Sequence, residues 1–145
     1  MKTKGKVPMK QVKRWKSRRG SILVETAFIL PLLTFLLIGM MEFGRVLMIK
    51  QVLTNAAREG ARVAAIDLDN SKALSSALDV TRDYVTRSGM NSSEVTVNPV
   101  FSQLNGTPAV QVSVDYNYTS DLARMIPAAP SVLRLHSQVV MRREA

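Results

Sequence analysis

Residues 18–41 read RRGSILVETAFILPLLTFLLIGMM, a basic pair and a glycine followed by a long apolar stretch. Two arginines and a glycine precede a 20-residue apolar run from Ile22 to Met41, in which Glu25 is the only charged residue. An α-helix of about 20 residues spans the roughly 30 Å hydrocarbon core of a bilayer. The stretch therefore predicts a transmembrane helix over residues 21–41. No Ala-x-Ala cleavage site follows it, so we expect the segment to stay with the protein.

Residues 1–20 form a basic leader with nine Lys or Arg residues and no acid. The whole chain has 20 Lys+Arg and 11 Asp+Glu, so residues 21–145 hold 11 of each and are neutral. Such a leader could bind nucleic-acid phosphates non-specifically. Because the apolar run follows directly, we favour the positive-inside rule, which places the leader in the cytoplasm and the rest of the chain outside. We expect no nucleic-acid partner.

The helix is predicted to continue beyond the membrane, since residues 42–66 contain no proline and have one apolar face. That face is formed by Val46, Ile49, Leu53, Ala56, Ala57, Gly60, Ala61 and Ala64. The opposite side carries Arg45, Lys50, Asn55, Arg58, Glu59 and Arg62. A helix from Ile22 to Ile66 would be about 68 Å long. Pro31 should bend its membrane half. We also expect Pro31 to take part in helix packing and assembly.

Four small residues of this face, Ala57, Gly60, Ala61 and Ala64, would allow a partner to approach closely. The partner could be the chain's own sheet or another subunit, and the sequence leaves both open. Glu42 and Arg45 lie three residues apart, a spacing that allows a solvated ion pair just outside the membrane.

The remaining residues, 67–145, are predicted to form an extracytoplasmic α+β domain. Asp69 and Asn70 are N-cap candidates for a helix over 71–88, and Gly89 is a plausible residue to end it. The apolar side of this helix is expected at Leu74, Ala77, Leu78, Tyr84 and Val85.

After Gly89 the hydrophobic period changes to two, which is typical of β-strands. Val95 and Val97 mark the first strand, and every even position from 110 to 118 is apolar in the second. Asn105-Gly106 indicates a turn between them. A third strand is indicated by Leu133, Leu135, Val139 and Met141, after a loop that holds Pro127 and Pro130. We expect a small antiparallel sheet with one face on the amphipathic half of the long helix.

The junction at Gly20 has chemistry that suggests processing. An acid in a membrane helix costs about 2.5–3.5 kcal/mol at the bilayer centre, so Glu25 should have a reason to be there. A cut between Gly20 and Ser21 would create an α-amino group with a pKa of about 7.7–8.0. That amine would lie four residues from Glu25, which could pair with it or with the amine of a neighbouring subunit. The cut would also remove Arg18, Arg19 and the rest of the leader charge.

The junction resembles a type IV prepilin cleavage site, and the chain resembles the TadE-like pseudopilins of the tight-adherence (Tad, Flp-type) pilus system. The matching residues are Arg19-Gly20-Ser21, Glu25, Ala27, Pro31 and Leu32-Leu33, the segment 55–62, and a carboxy-terminal strand that ends with residues 139–144. Ser21 stands where classical type IV pilins have phenylalanine. The resemblance implies a type IV pilin-like fold, cleavage by a prepilin peptidase, and a minor pilin needed to assemble the pilus. Other pilins and the assembly platform would be its partners, and the bacterial inner membrane or the pilus its location.

Nothing in the sequence supports catalysis, a metal or a cofactor. The chain has no cysteine, and its single histidine, His136, falls among polar strand positions as an ordinary surface residue. No nucleophile triad, glycine-rich phosphate loop or acidic calcium-loop spacing occurs. Besides the processed pseudopilin, the alternative is an unprocessed bitopic membrane protein whose external domain binds another envelope or secretion component.

Overall fold

The computed structural model describes residues 18–120 and 132–143. The predicted loop with Pro127 and Pro130 lies outside the described residues, as do residues 1–17 of the leader and the side chains of Arg18 and Arg19. The chain divides into two units, the first ending at Leu37 and the second beginning at Ile38. The described part of the first unit is helical, and its side chains from Gly20 to Leu37 are exposed.

The long helix α1 spans Arg18–Ile66 and contains Pro31. It ends at the residue that the sequence predicts and begins four residues earlier than Ile22. The second helix, α2, spans Asn70–Arg87. Asp69 is its N-cap, and one oxygen of its carboxylate accepts a hydrogen bond from the amide of Ser71 at 3.0 Å.

The carboxyl end of α2 is closed by a Schellman motif, as the position of Gly89 suggests. Gly89 has a φ of 79° and donates to the carbonyl of Thr86 at 3.0 Å. The amide of Met90 donates to the carbonyl of Val85 at 3.2 Å. These two hydrogen bonds satisfy carbonyls that the helix itself leaves unpaired.

The sheet has three antiparallel strands in the order β1-β2-β3. A 3-10 turn over Ser92–Glu94 leads into β1 at Val95–Leu104, followed by β2 at Thr107–Thr119 and β3 at Val132–Arg142. Only Asn105 and Gly106 separate β1 from β2, with φ values of 53° and 77°. Two positive φ values in a two-residue hairpin loop indicate a type I′ turn, for which Asn-Gly is the preferred sequence.

The core lies between the second half of α1, α2 and one face of the sheet. The sheet contributes Val110, Val112, Val114 and Tyr118 of β2 together with Val95, Val97 and Leu135. Helix α1 contributes Leu53, Ala56, Ala57, Ala61 and Ala64, all fully buried. The predicted α+β fold with a long helix, a second helix and a small antiparallel sheet is therefore confirmed.

The buried face of α2 differs from the predicted one. Its fully buried residues are Ala73, Ala77, Thr81 and Val85, whereas Leu74, Leu78 and Tyr84 are only half-buried. Small side chains occupy the centre of this face because α2 lies close to α1, and the larger apolar side chains lie at its margin.

Arg143 connects the end of the chain to the α1–α2 connection. Its guanidinium donates at 2.6 Å to the carbonyl of Asp67 and at 2.6 Å to the side-chain oxygen of Asn70. The same group lies 4.8 Å from the ring centroid of Phe101. Strand β3 is thus held at its carboxyl end by polar contacts with the helices as well as by the sheet.

Candidate functional site

The predicted cleavage junction lies in the first turns of α1 and is sterically open. Gly20 and Ser21 are exposed, and a Cβ added at Gly20 would meet no described atom within 4 Å. The peptide bond between them is helical in the structure, because α1 already begins at Arg18. Glycine weakens a helix by about 1 kcal/mol relative to alanine, so this is a place where the helix opens at low cost.

Most side chains of the exposed segment 20–37 are apolar. Its two threonines, Thr26 and Thr34, each donate at 2.8 Å to the carbonyl four residues earlier, at Ile22 and Leu30. Hydroxyls satisfied inside their own helix are compatible with a hydrocarbon environment. Glu25 is the one charged residue of this segment, and it is exposed.

The small residues predicted to pack with a partner lie inside the chain's own fold. Ala57, Ala61 and Ala64 are fully buried, and Gly60 is buried as well. A Cβ on Gly60 would overlap Thr81 Oγ1 of α2 and lie 2.9 Å from the carbonyl oxygen of Ala77. Helix α2 is therefore the neighbour at Gly60. Pro31, the other predicted packing residue, lies in the exposed part of α1.

A polar cluster lies where the predicted span ends. Glu42 Oε2 is 3.7 Å from Arg45 Nη1, the predicted ion pair, and Glu42 Oε1 accepts a hydrogen bond from the Tyr118 hydroxyl at 3.0 Å. The Glu42 side chain is only 15% exposed, whereas that of Arg45 is 51% exposed. Burial raises the pKa of the Tyr118 phenol. The pair is thus tied to the sheet, in contrast to the solvated pair expected from sequence.

Tyr118 could not be assigned this role from its sequence position alone. Its even position in β2 predicts only that it faces the helix, and Glu42 is 76 residues away in the chain.

Residues 20–62 match the family model for TadE-like proteins. The match begins at Gly20, includes Glu25 and Pro31, and confirms the suspected resemblance over these residues. The match covers 43 of the 145 residues and shows a likeness to TadE-like proteins over that segment. Searches of curated proteins and of solved structures gave no match.

The TadE-like segment, residues 20–62, includes both the membrane-spanning candidate and most of the amphipathic half of α1. One helix of the described residues, Gly20–Ile66, is long and apolar enough to cross a membrane, and it contains this segment. Such a helix indicates membrane anchoring. The segment ends beside the exposed ion pair of Glu59 and Arg62, whose closest atoms are 2.6 Å apart.

The outer face of the sheet lies outside the TadE-like segment and is mostly polar. His136 is exposed there, as expected, with its Nδ1 3.0 Å from a carboxylate oxygen of Asp115. Among residues 18–120 and 132–143, no three His, Asp or Glu side chains are grouped so that they could hold a metal ion.

Proposed function

We propose that this chain is a minor pilin, or pseudopilin, which a prepilin peptidase cleaves between Gly20 and Ser21 and which is needed to assemble a Tad-type pilus. In this proposal it is a structural subunit without catalytic activity or cofactor. The observation that carries the proposal is the TadE-like match, which starts at Gly20 and includes Glu25. The open, glycine-containing junction in front of an exposed apolar helix supports it.

The charges explain what cleavage would accomplish. Before the cut, nine leader cations hold the amino end of α1 on the cytoplasmic side of the bacterial inner membrane, and the folded domain lies on the other side. After the cut, residues 21–145 carry equal numbers of basic and acidic side chains. The only strong polar groups of the remaining membrane segment are then the new amine and Glu25. Pairing between them, within one chain or between subunits, lowers the free-energy cost of keeping both charges in apolar surroundings.

The structure also limits which surfaces could contact other pilins or the assembly platform. The small residues from Ala57 to Ala64 are covered by the chain's own fold. The exposed apolar side chains of residues 22–37, around Pro31, are accessible in the single chain. This exposure supports the proposal that other subunits pack against this first part of α1.

The proposal is tested by the intact mass and amino-terminal sequence of the protein isolated from membranes, with and without the host's prepilin peptidase. A mature chain beginning at Ser21 only when the peptidase is present is the expected result. A chain that keeps Met1 in both strains would overturn the processing step. The unprocessed bitopic protein that binds another envelope component would then be the better interpretation.

A role in assembly is tested separately by deleting the gene and counting pili by electron microscopy. We expect pili to be lost and to return when the full-length chain is supplied. The same chain with a leader that cannot be cleaved should not restore them.

A further inference from the structure

The exposed apolar surface of α1 does not end at Met41, where the apolar run of the sequence ends. Phe43, Leu47 and Met48 are 65%, 51% and 66% exposed, respectively. These residues belong to the second unit, in which the folded domain covers other sides of the same helix. The surface is therefore left open by the chain's own domain.

The two charged residues in this region interrupt the apolar surface very little. The carboxylate of Glu42 is directed to the Tyr118 hydroxyl and is largely covered. Arg45 is exposed, but its charge is balanced by Glu42 at 3.7 Å. A long arginine side chain can also keep its stem in apolar surroundings while its guanidinium reaches the lipid phosphates. Exposed hydrophilic side chains become frequent only from Lys50 onward.

The length of the apolar surface indicates that lipid covers it. The 27 residues from Ile22 to Met48 measure about 40 Å as an α-helix. That length exceeds the roughly 30 Å hydrocarbon core and agrees with the 40–45 Å of a bilayer that includes its headgroup regions. Methionine, leucine and phenylalanine next to an arginine are suited to the boundary between acyl chains and headgroups.

We propose that Phe43, Leu47 and Met48 lie in the interfacial region of the bilayer, so that lipid contact with α1 ends near Met48. In this arrangement Tyr118 holds Glu42 away from the lipid. The inference depends on the membrane anchoring that belongs to the proposed function. The occupant is lipid because the surface continues along the same helix as the span.

The test uses single tryptophans in the full-length chain, in a Trp15→Phe background, reconstituted at low protein density in phosphatidylcholine vesicles. Trp is placed at Phe43 or at Leu47, and the vesicles contain lipids with brominated acyl chains, which quench Trp emission on contact. Leu33→Trp reports on the span itself. Arg58→Trp lies 11 residues, or about 16 Å, beyond Leu47 on the same side of the helix and serves as the water-exposed control.

We expect quenched, blue-shifted emission at positions 33, 43 and 47, and unquenched emission typical of water at position 58. Quenching at 33 without quenching at 43 and 47 would overturn the inference and leave the anchoring intact. Blue-shifted but unquenched emission at 43 and 47 would also overturn it, since protein would then cover the surface. Absence of quenching at 33 would instead contradict membrane anchoring itself. Circular dichroism of each variant checks that the fold is retained.

Discussion

Gly60 of α1 lies so close to Thr81 of α2 that no side chain fits between them. A Cβ at position 60 would overlap Thr81 Oγ1 and approach the Ala77 carbonyl oxygen to 2.9 Å. The Thr81 hydroxyl donates to that same carbonyl at 2.6 Å and lies 3.5 Å from the carbonyl of Ala56. A buried hydroxyl with acceptors on both helices fixes their contact. Gly60 therefore sets how closely α2 can approach the long helix.

We expect Gly60→Ala to lower the free energy of unfolding by about 1–3 kcal/mol, the usual cost of adding a methyl group to a tightly packed site. Gly44→Ala is the matched control, because nothing lies within 4 Å of a Cβ there. That variant should be neutral or gain up to about 1 kcal/mol from helix propensity. Unfolding is followed in detergent by near-ultraviolet circular dichroism of the tyrosines, all three of which belong to the second unit. Equal stability of the two variants would contradict the packing argument.

The features that the sequence predicts well are those set by short stretches of chain. The end of α1 at Ile66, the cap at Asp69, the reversal at Gly89 and the Asn105-Gly106 hairpin each depend on neighbouring residues. The alternation along β2 likewise reveals which of its residues face the core. Local conformational preference and periodicity are sufficient for these assignments.

The features that sequence reasoning misses depend on contacts between distant residues. The sequence does not predict Thr81 in the core, because a buried hydroxyl needs a hydrogen-bond acceptor. One of its acceptors, the carbonyl oxygen of Ala56, is 25 residues away in the chain. The sequence spacing predicts a solvated ion pair between Glu42 and Arg45. In the structure, Tyr118, which lies 76 residues later in the chain, contacts the Glu42 carboxylate and helps to cover it. The junction was predicted from local residues, and its processing remains a prediction because it needs a second protein.

Tyr118→Phe should destabilise the domain by about 1.5–3 kcal/mol, because it removes a hydrogen bond to a charged and largely covered carboxylate. Tyr84→Phe is the control, since Tyr84 is half-buried and its hydroxyl makes no hydrogen bond with the described residues. The same unfolding measurement compares the two. A loss no greater for Tyr118→Phe than for the control would show that the Glu42 contact contributes nothing.

Alkaline pH should destabilise the domain through its buried phenols. Burial raises the pKa of both Tyr116 and Tyr118, so the folded state favours the neutral phenol. This contribution is complete below the unfolded pKa of about 10 and is lost as the pH rises through the higher folded value. Ultraviolet titration of phenolate should therefore show late-titrating tyrosines, and Tyr116→Phe should remove one of them. Titration of every tyrosine near pH 10 in the folded protein would contradict this.

Acidic pH should act on α2 through its N-cap. Hydrogen bonds from the Ser71 side chain and backbone lower the pKa of Asp69. The stabilisation is therefore present above the unfolded pKa of about 4 and is lost as the pH falls through the lower folded value. Asp69→Ala should weaken α2 at neutral pH, whereas Asp69→Asn should keep the cap and remove this part of the acid dependence. Unfolding curves at neutral and acidic pH test both variants, and an unchanged acid dependence in Asp69→Asn would exclude Asp69 as its source.

Cleavage should depend on Gly20 for reasons of both size and helix stability. Gly20→Ala adds a methyl group beside the cut bond and makes local opening of α1 about 1 kcal/mol harder. We expect the uncleaved chain to accumulate in membranes. Gly39→Ala, at another open glycine of the same helix, should be cleaved normally. Mass spectrometry of the two variants in a strain with the peptidase measures the difference, and normal maturation of Gly20→Ala would contradict the assigned cut.

Substitutions of Glu25 should affect assembly of the pilus but not cleavage of the chain. If its charge pairs with the new amine of Ser21, Glu25→Ala and Glu25→Gln should both mature normally and both reduce the number of pili, because each leaves the amine uncompensated in an apolar environment. Glu25→Asp keeps the charge with a shorter reach and should retain part of the function. Pilus counts by electron microscopy, alongside the mass of the mature chain, distinguish the two steps. Normal piliation with Glu25→Gln but not with Glu25→Ala would mean that assembly requires the size of this side chain and not its charge. Normal piliation with both variants would contradict the pairing altogether.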